Sequence, residues 1–221
     1  FIPSWNVPAV VSRFMNFAPS ETSAGYLIAK AWDVNEKITT GYLKGNISHE
    51  MGDVSVRGNV GLQVQRTDQS SNANYYDGSA PAGQQVKPVT EGKTYTDVLP
   101  SANLAFGFDN QQTLRFAVAK QIARPRVDQL RAALEFDVDK TTFRPGGSGG
   151  NAKLDPWRAN AFDVSYEKYF GTKAYVAAAA FYKKLNTYIY TESRTFDFSR
   201  LTPGTIAATH PSDYNAPYNG D

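Results

Sequence analysis

The chain has 221 residues, with 23 Lys and Arg against 21 Asp and Glu and a formal net charge of +2. This near balance provides no basic field of the strength that nucleic-acid binding requires, so we expect no nucleic-acid partner. There is no cysteine, and the two histidines, His49 and His210, lie far apart in the sequence. Thiolate metal sites and cysteine nucleophiles are therefore excluded, and neither histidine has the neighbours of a catalytic triad or an HExxH site. We expect no enzyme activity, no metal and no cofactor.

The hydropathy pattern excludes a membrane-spanning helix, because no run of roughly eighteen apolar residues occurs. The same pattern does not exclude a transmembrane β-barrel, because the strands of such a barrel carry apolar residues only at every second position. The sequence starts at Phe1 without a charged and apolar export signal. We therefore expect it to be part of a longer protein.

Six segments predict strands in chain order, after a first stretch (residues 1–36) expected to be a loop or a strand preceding the hairpins. Four segments alternate apolar and polar residues with a period of two, which indicates strands with one apolar face. Two others are rich in Tyr, Ile, Val or Thr and contain no proline, but their faces are ambiguous. The alternating segments are 53–67, 104–108, 114–118 and 162–166, and the ambiguous ones are 36–50 and 174–185.

The connections between these segments alternate between short and long. Short ones at 50–53, 109–112 and 171–173 contain Gly, Asp or Asn, as tight hairpins prefer. Long polar segments span 68–93, 125–159 and 191 to the end. Bacterial outer-membrane barrels have short turns at one rim and long loops at the other. We predict an all-β antiparallel up-and-down barrel segment, with three hairpins in residues 37–185 and an extracellular loop in 186–221.

Charged residues avoid one face of the alternating segments. In each segment every second residue points to the same side, and we call each of these two sets of alternate positions a parity. The parity that includes Val60, Phe116 and Val164 carries no Asp, Glu, Lys or Arg, as a lipid-facing surface requires. A soluble β-sandwich also alternates, and only the loop asymmetry and strand length argue against it. The opposite parity predicts lumen-facing residues that line a path or pair with one another: Arg57, Asn59, Gln63, Arg115, Asp163 and Glu167.

Charged and aromatic residues beside the long loops are candidates for ligand binding. Guanidinium groups bind anions, and aromatic rings stack on ligands or cations. Tyr188 and Tyr190 in the last long segment, like Tyr75 and Tyr76 in the first, are either aromatic platforms for ligand capture or part of the aromatic girdle at a membrane interface, and the girdle is also the alternative for the tryptophan. The candidate ligand-binding residues are Arg124, Arg126, Trp157, Arg158, Tyr75 and Tyr76.

A series of short motifs occurs along the chain at residues 56–62 with 66–68, 95–104, 114–120 with 123–125, 150–156, 162–163 and 181–183. In their order and spacing these motifs resemble the TonB-dependent outer-membrane receptor family, and in particular the subgroup of proteobacteria such as Xanthomonas and Caulobacter relatives. One departure is Ala152, where the family's Gly-Asn-Pro-x-Leu motif has proline. The resemblance covers most of residues 33–185.

The resemblance implies a Gram-negative outer membrane, a barrel of twenty-two strands surrounded by outer-membrane lipid, and an N-terminal plug. This chain would supply about six of those strands. It also implies coupling to the TonB–ExbB–ExbD complex through an N-terminal region outside this sequence. The expected function is energy-coupled uptake of a scarce small-molecule nutrient, an oligosaccharide or a siderophore. The alternatives are a passive outer-membrane porin and a soluble β-rich binding module.

Overall fold

The computed structural model describes residues 6–15, 28–76, 81, 84–139, 141–142, 144–196 and 212–220. Strands dominate these residues, and none of their helices has both the length and the apolar character to cross a bilayer. The elements are α1 (Val7–Phe14), β1 (Trp32–Met51), β2 (Val54–Tyr76), β3 (Val86–Phe108), β4 (Gln112–Ala123), the 3-10 helix η1 (Val127–Leu130), β5 (Leu134–Val138), β6 (Pro145–Gly149), β7 (Trp157–Phe170), β8 (Ala174–Phe196) and β9 (Ser212–Gly220).

The six long strands form an antiparallel meander. Their order across the sheet is β1-β2-β3-β4-β7-β8, and the sheet continues through β9 and β6 to β5. The pairs β1–β2, β3–β4 and β7–β8 are hairpins, so the three predicted hairpins are confirmed. The sheet formed by the described strands is open, with β1 and β5 at its edges. The predicted all-β, up-and-down barrel segment is confirmed in its strand class and topology.

The three short turns lie where the sequence predicts them. Gly52 and Gly171 adopt φ angles of 60° and 63°, in the left-handed region that glycine enters at little cost. The turn between β3 and β4 uses Gln111 at φ 55° instead. All three turns lie at one end of the meander, which we call the turn end, and the opposite end is the loop end.

The strands are longer at the loop end than the sequence predicts. Residues 68–93 were expected to form a loop, but β2 continues to Tyr76 and β3 begins at Val86, with continuous pairing between them. Polar composition concealed these strands, because polar side chains pair across them: Thr90 donates a hydrogen bond to Asn72, and Thr94 donates one to Asp68. Similarly, β1 begins at Trp32 rather than after residue 36. Residues 186–221 are also not simply a loop, since β8 runs to Phe196 and β9 pairs with it.

Pro100 lies within β3 without a bulge. The sequence favoured a bulge or a strand start at this position, but the register with β2 is continuous through Leu62 and Pro100. On the other side of β3, the pairing with β4 extends only to Ser101 and Ala119. Proline has no N–H to donate, so its position next to the end of that ladder explains why the strand tolerates it.

The strand register divides the meander into an uncharged face and a charged face. It also assigns the two ambiguous strands, because Val60 lies opposite Gly45 of β1 and Val164 lies opposite Ala180 of β8. The uncharged face comprises Gly41, Leu43, Gly45, Ile47, His49 and Met51; Val54, Val56, Gly58, Val60, Leu62 and Val64; Val98, Pro100, Ala102, Leu104, Phe106 and Phe108; Leu114, Phe116 and Val118; Phe162, Val164 and Tyr166; and Ala178, Ala180 and Tyr182.

The uncharged face forms a band with charged boundaries. At the loop end, the next position of the same parity beyond the band is a basic residue on three strands: Arg66 of β2, Lys120 of β4 and Lys184 of β8. At the turn end, Lys168 of β7 occupies the corresponding position. Large apolar side chains within the band are exposed to the surroundings, among them Leu43 and Val60. A continuous exposed apolar surface of this kind is costly in water and suits hydrocarbon.

A small core lies at the loop end. Leu130, Leu154 and Ile189 are almost fully buried, and Val34 and Trp157 pack against them. These residues come from η1, the segment before β7, β8, β1 and β7 itself. The core therefore fixes the segment between β4 and β7, residues 124–156, against the sheet. We call this segment the covering loop.

Candidate functional site

A groove of about 560 Å³ lies on the sheet near the middle of the strands. Charged side chains from three different strands line it: Arg57 of β2, Arg115 of β4 and Asp163 of β7. A second groove of about 290 Å³ is lined in part by Asn59 and Gln63. The predicted lumen-facing residues thus share one face, as the alternation indicated. What they face in the assembled protein stays a prediction.

The charges in the larger groove are partly compensated. Arg115 donates a hydrogen bond to Glu167, and the two form an ion pair across β4 and β7. Glu167 also accepts a hydrogen bond of 2.9 Å from the Tyr169 hydroxyl. These contacts involve Arg115 and Glu167, two of the six predicted lumen-facing residues, and link the neighbouring strands β4 and β7.

Phe181 lines the groove, although the sequence indicated it only as part of the motif at 181–183 and not as a lumen-facing residue. Its side chain lines the large groove and is 80% exposed, although β8 places it opposite Asp163 on the charged face. Both parities of β8 are apolar or small in this region, so alternation gave no signal for its face. The register of β7 with β8 supplies the missing information.

The covering loop binds to the charged face at the loop end of β2. The Gln69 side-chain amide donates to the main-chain oxygens of Ala152 and Leu154 at 2.9 and 2.8 Å. The Ser71 hydroxyl accepts from the Ala132 N–H at 2.9 Å. Gln69 and Ser71 have the same parity as Arg57, so the loop lies over the face that carries the charged groove. Both side chains are fully buried beneath it.

An ion-pair network holds the C-terminal end of the covering loop, which leads into β7, against β3. Asp155 pairs with Lys93 of β3 at 2.5 Å and with Arg158 at 3.5 Å. Arg158 also donates a 2.6 Å hydrogen bond to Asp97, a carboxylate that is 5% exposed. Its guanidinium carbon lies 5.8 Å from the ring centre of Tyr95. Arg158 therefore contacts three neighbouring side chains, those of Asp155, Asp97 and Tyr95.

The other predicted ligand-binding arginines are also paired with carboxylates. Arg124 contacts Glu36 of β1 at 3.3 Å, and the exposed Arg126 contacts Asp128 at 2.6 Å. The hydrogen bond from Arg126 holds the pKa of Asp128 below its ordinary value. Three separate carboxylates therefore accept from Arg124, Arg126 and Arg158, and the structure does not gather these arginines around one free anion site.

The predicted ligand-binding aromatic residues Trp157 and Tyr75 lie on strands β7 and β2, which are not neighbours in the sheet. Trp157 packs on the core of the covering loop, with its ring centre 6.4 Å from that of Tyr188. Tyr75 is partly buried near the end of β2, opposite Lys87. The Tyr76 side chain lies outside the described residues. Among the residues that the structure describes, no group of three or more His, Asp or Glu side chains is arranged to hold a metal ion.

The antiparallel meander with one uncharged and one charged face defines a segment of a transmembrane β-barrel. A family model described as TonB dependent receptor-like, beta-barrel matches residues 8–218. The chain therefore belongs to the TonB-dependent receptor family, in its β-barrel domain. Neither a curated protein nor a solved structure matches it significantly. Membership implies a receptor of the Gram-negative outer membrane, in a family of transporters that work with a TonB complex on small-molecule ligands.

Proposed function

We propose that this protein mediates energy-coupled uptake of a scarce nutrient across the outer membrane. The observation that carries the proposal is the division of six paired strands into an uncharged band and a charged, grooved face. Lipid suits the first face, because an Arg or Lys at mid-membrane costs about 2 to 4 kcal/mol. The second face is suited to an aqueous interior, which a solute or a plug can contact. We place the receptor in the proteobacterial subgroup that its motifs resemble.

The two ends of the meander define its orientation in the proposed barrel. Short turns lie on the periplasmic side in bacterial barrels, and long loops lie outside. The turn end, with Gly52 and Gly171, is then periplasmic. The covering loop and the strands β5, β6 and β9 are extracellular, where an incoming nutrient first meets the protein.

A passive porin is the competing function. The contacts of Gln69 and Ser71 favour a receptor, because they fix the covering loop over the charged face instead of leaving that face open at the loop end. The nutrient is an oligosaccharide or a siderophore in this proposal. Both are too large or too dilute for efficient passive diffusion, so uptake requires coupling to the TonB–ExbB–ExbD complex.

Uptake by the intact receptor tests this function. Cells that express it are given radiolabelled oligosaccharides or ferric siderophores, with and without a functional TonB complex and with an uncoupler of the proton gradient. We expect accumulation of one of these nutrient classes, and its loss in both treated samples. Receptor abundance in the outer membrane, measured by immunoblot, is the control. Uptake that persists without TonB would show a passive porin instead.

A further inference from the structure

A gap opens in the sheet where the pairing of β3 with β4 ends. These strands pair from the turn end only as far as Ser101 and Ala119, whereas β3 pairs with β2 along its whole length. The next residue of β3 is Pro100, which has no N–H to donate to a neighbouring strand. The β4 strand continues to Ala123 and pairs with β7 instead. Between Ser101 and the loop end, therefore, the described strands β3 and β4 share no main-chain ladder.

A groove of about 330 Å³ lies beside the end of this ladder. Pro100, Ala102 and Val118 line the groove, and all three belong to the uncharged face. Ala119 and Ala161 also line it, and these small side chains fill little of the space. The groove is thus an apolar recess at the loop-end edge of the uncharged band, where the hydrocarbon of a membrane would end.

Two lysines lie on the loop-end side of this recess. Lys120 lines the recess and is opposite Asn160 of β7, which in turn is opposite Lys184 of β8. The three exposed side chains form a row across the sheet, which we call the lysine row. Its lysines are two strand spacings apart, about 10 Å between Cα atoms, so both can reach one small anion between them. Because the ladder ends beside it, Lys120 also borders the smaller groove of the charged face.

The lysine row has no carboxylate partner among the residues that the structure describes. Neither Lys120 nor Lys184 forms an ion pair there, whereas Arg115, Arg124 and Arg158 all do. No Asp or Glu occurs at positions of the same parity within 112–122, 160–170 or 174–184. The row is therefore suited to an anion from the surroundings. At this depth of an outer-membrane barrel, the surroundings are lipid headgroups.

We propose that the recess and the lysine row bind one lipid whose headgroup carries a phosphate. One acyl chain packs in the recess against Ala102 and Val118, and the ammonium groups of Lys120 and Lys184 donate hydrogen bonds to the phosphate. A neutral lipid would leave the lysines without an anion, and a free anion would leave the recess empty. The inference rests on the proposed orientation, which places the row in the outer leaflet, and is independent of the nutrient and of TonB coupling.

Lipid binding to the purified, delipidated intact receptor tests this site. Native mass spectrometry counts the lipids bound to the receptor in detergent, and a titration gives their affinity. The probes are lipid A with two phosphates, the same lipid after removal of both phosphates, and inorganic phosphate as a competitor. We expect one saturable site for lipid A and about 30-fold weaker binding of the dephosphorylated form. Inorganic phosphate at millimolar concentration should not compete.

Matched lysine variants separate the effect of charge at the row from a general effect of charge. Lys120→Gln and Lys184→Gln should each weaken the binding of lipid A about fivefold, because each lysine contributes one contact with the phosphate. The double variant should weaken it about 30-fold. Lys168→Gln removes the same charge from the same parity at the turn end and should have no effect.

A second pair of variants tests the recess without changing any charge. Ala102→Phe fills the recess and should weaken the binding of lipid A about tenfold. Ala178→Phe adds the same ring to the uncharged face of β8, outside the recess, and should bind like the wild type. Heat-dependent gel mobility checks that every variant is folded.

The inference is overturned if the dephosphorylated lipid binds as tightly as lipid A, or if the double lysine variant binds like the wild type. It is also overturned if Lys168→Gln weakens binding as much as the row variants do, or if inorganic phosphate competes, which would show a free-anion site. Failure of the proposed function would look different, because TonB-independent uptake leaves lipid binding in detergent unchanged. Conversely, TonB-dependent uptake without a preference for the phosphorylated lipid would overturn only this inference.

Discussion

Two neighbouring alanines of β8 provide a direct energetic test of the two faces. Ala180 lies opposite Val164 on the uncharged face, and Ala179 lies opposite Ser165 on the charged face. Both are exposed, so replacement by arginine creates no steric clash with a packed core in either case. The two variants Ala180→Arg and Ala179→Arg therefore have the same composition and differ only in the face that receives the charge.

The expected difference follows from the depth of the site. Ala180 is six positions beyond the first residue of β8, which corresponds to about 14 Å along the membrane normal for a strand tilted by about 45°. This depth is near the middle of the hydrocarbon layer, where an arginine costs about 2 to 4 kcal/mol. Such a cost lowers the folding equilibrium constant roughly 30- to 900-fold. Arginine at position 179 instead lies on the charged face, diagonal to Asp163 and to Glu167, and Glu167 already pairs with Arg115.

Urea titration of the intact receptor refolded into lipid vesicles measures this difference, with heat-dependent gel mobility as a second readout of the folded state. We expect Ala179→Arg to unfold near the wild-type midpoint and Ala180→Arg at a clearly lower urea concentration. Equal midpoints for the two variants, or a lower one for Ala179→Arg, would refute the assignment of the faces.

Substitutions test three further contacts, two of them in the same urea titration and one by amide hydrogen exchange. Gly58→Ala places a Cβ against a main-chain oxygen of the neighbouring strand and should lower the free energy of unfolding by about 1 to 3 kcal/mol. Its control is Gly41→Ala, where the Cβ meets open space and the effect should be close to zero. Equal effects of the two variants would contradict this packing. Gln69→Leu leaves two carbonyls of the covering loop without their hydrogen-bond donor, so amide hydrogen exchange in residues 124–156 should become faster. Unchanged protection from exchange would show that Gln69 does not hold the covering loop to β2. Arg158→Met isolates the buried carboxylate of Asp97 and should cost about 3 kcal/mol. Adding Asp97→Leu should recover most of that loss, and a double variant as unstable as the single one would argue against the pair.

The meander could be predicted from the sequence because its signals are local. Strict alternation in β2 determines which residues share a face, and the glycines of two tight turns mark where the chain reverses. The faces of β8 were not predictable, since Ala177 and Ala180 are equally small on opposite parities. Only pairing with β7 distinguishes them, and that pairing depends on a partner strand and its register.

The loop end was harder to predict because its contacts are distant in sequence. Gln69 bonds to residues more than eighty positions away, and nothing near it indicates a partner. The predicted anion-binding arginines lie beside the loops. Asp128 is close to Arg126 in sequence, but the carboxylates that pair with Arg124 and Arg158 across the sheet lie on other strands. Glu36, for example, is 88 positions from Arg124. Ligand contact by any of these residues stays a prediction.

Contact with lipid at single positions tests the central claim most directly. The chain contains no cysteine, so one introduced cysteine at Val164 or at the adjacent Ser165 carries a fluorescent label without background from other thiols in this segment. The labelled intact receptor is refolded into vesicles whose lipids are brominated at mid-chain, and quenching is compared with unbrominated vesicles. Strong quenching at position 164 and little at position 165 is the predicted result. Similar quenching at both positions, or stronger quenching at 165, would contradict the assignment of the uncharged face to the membrane.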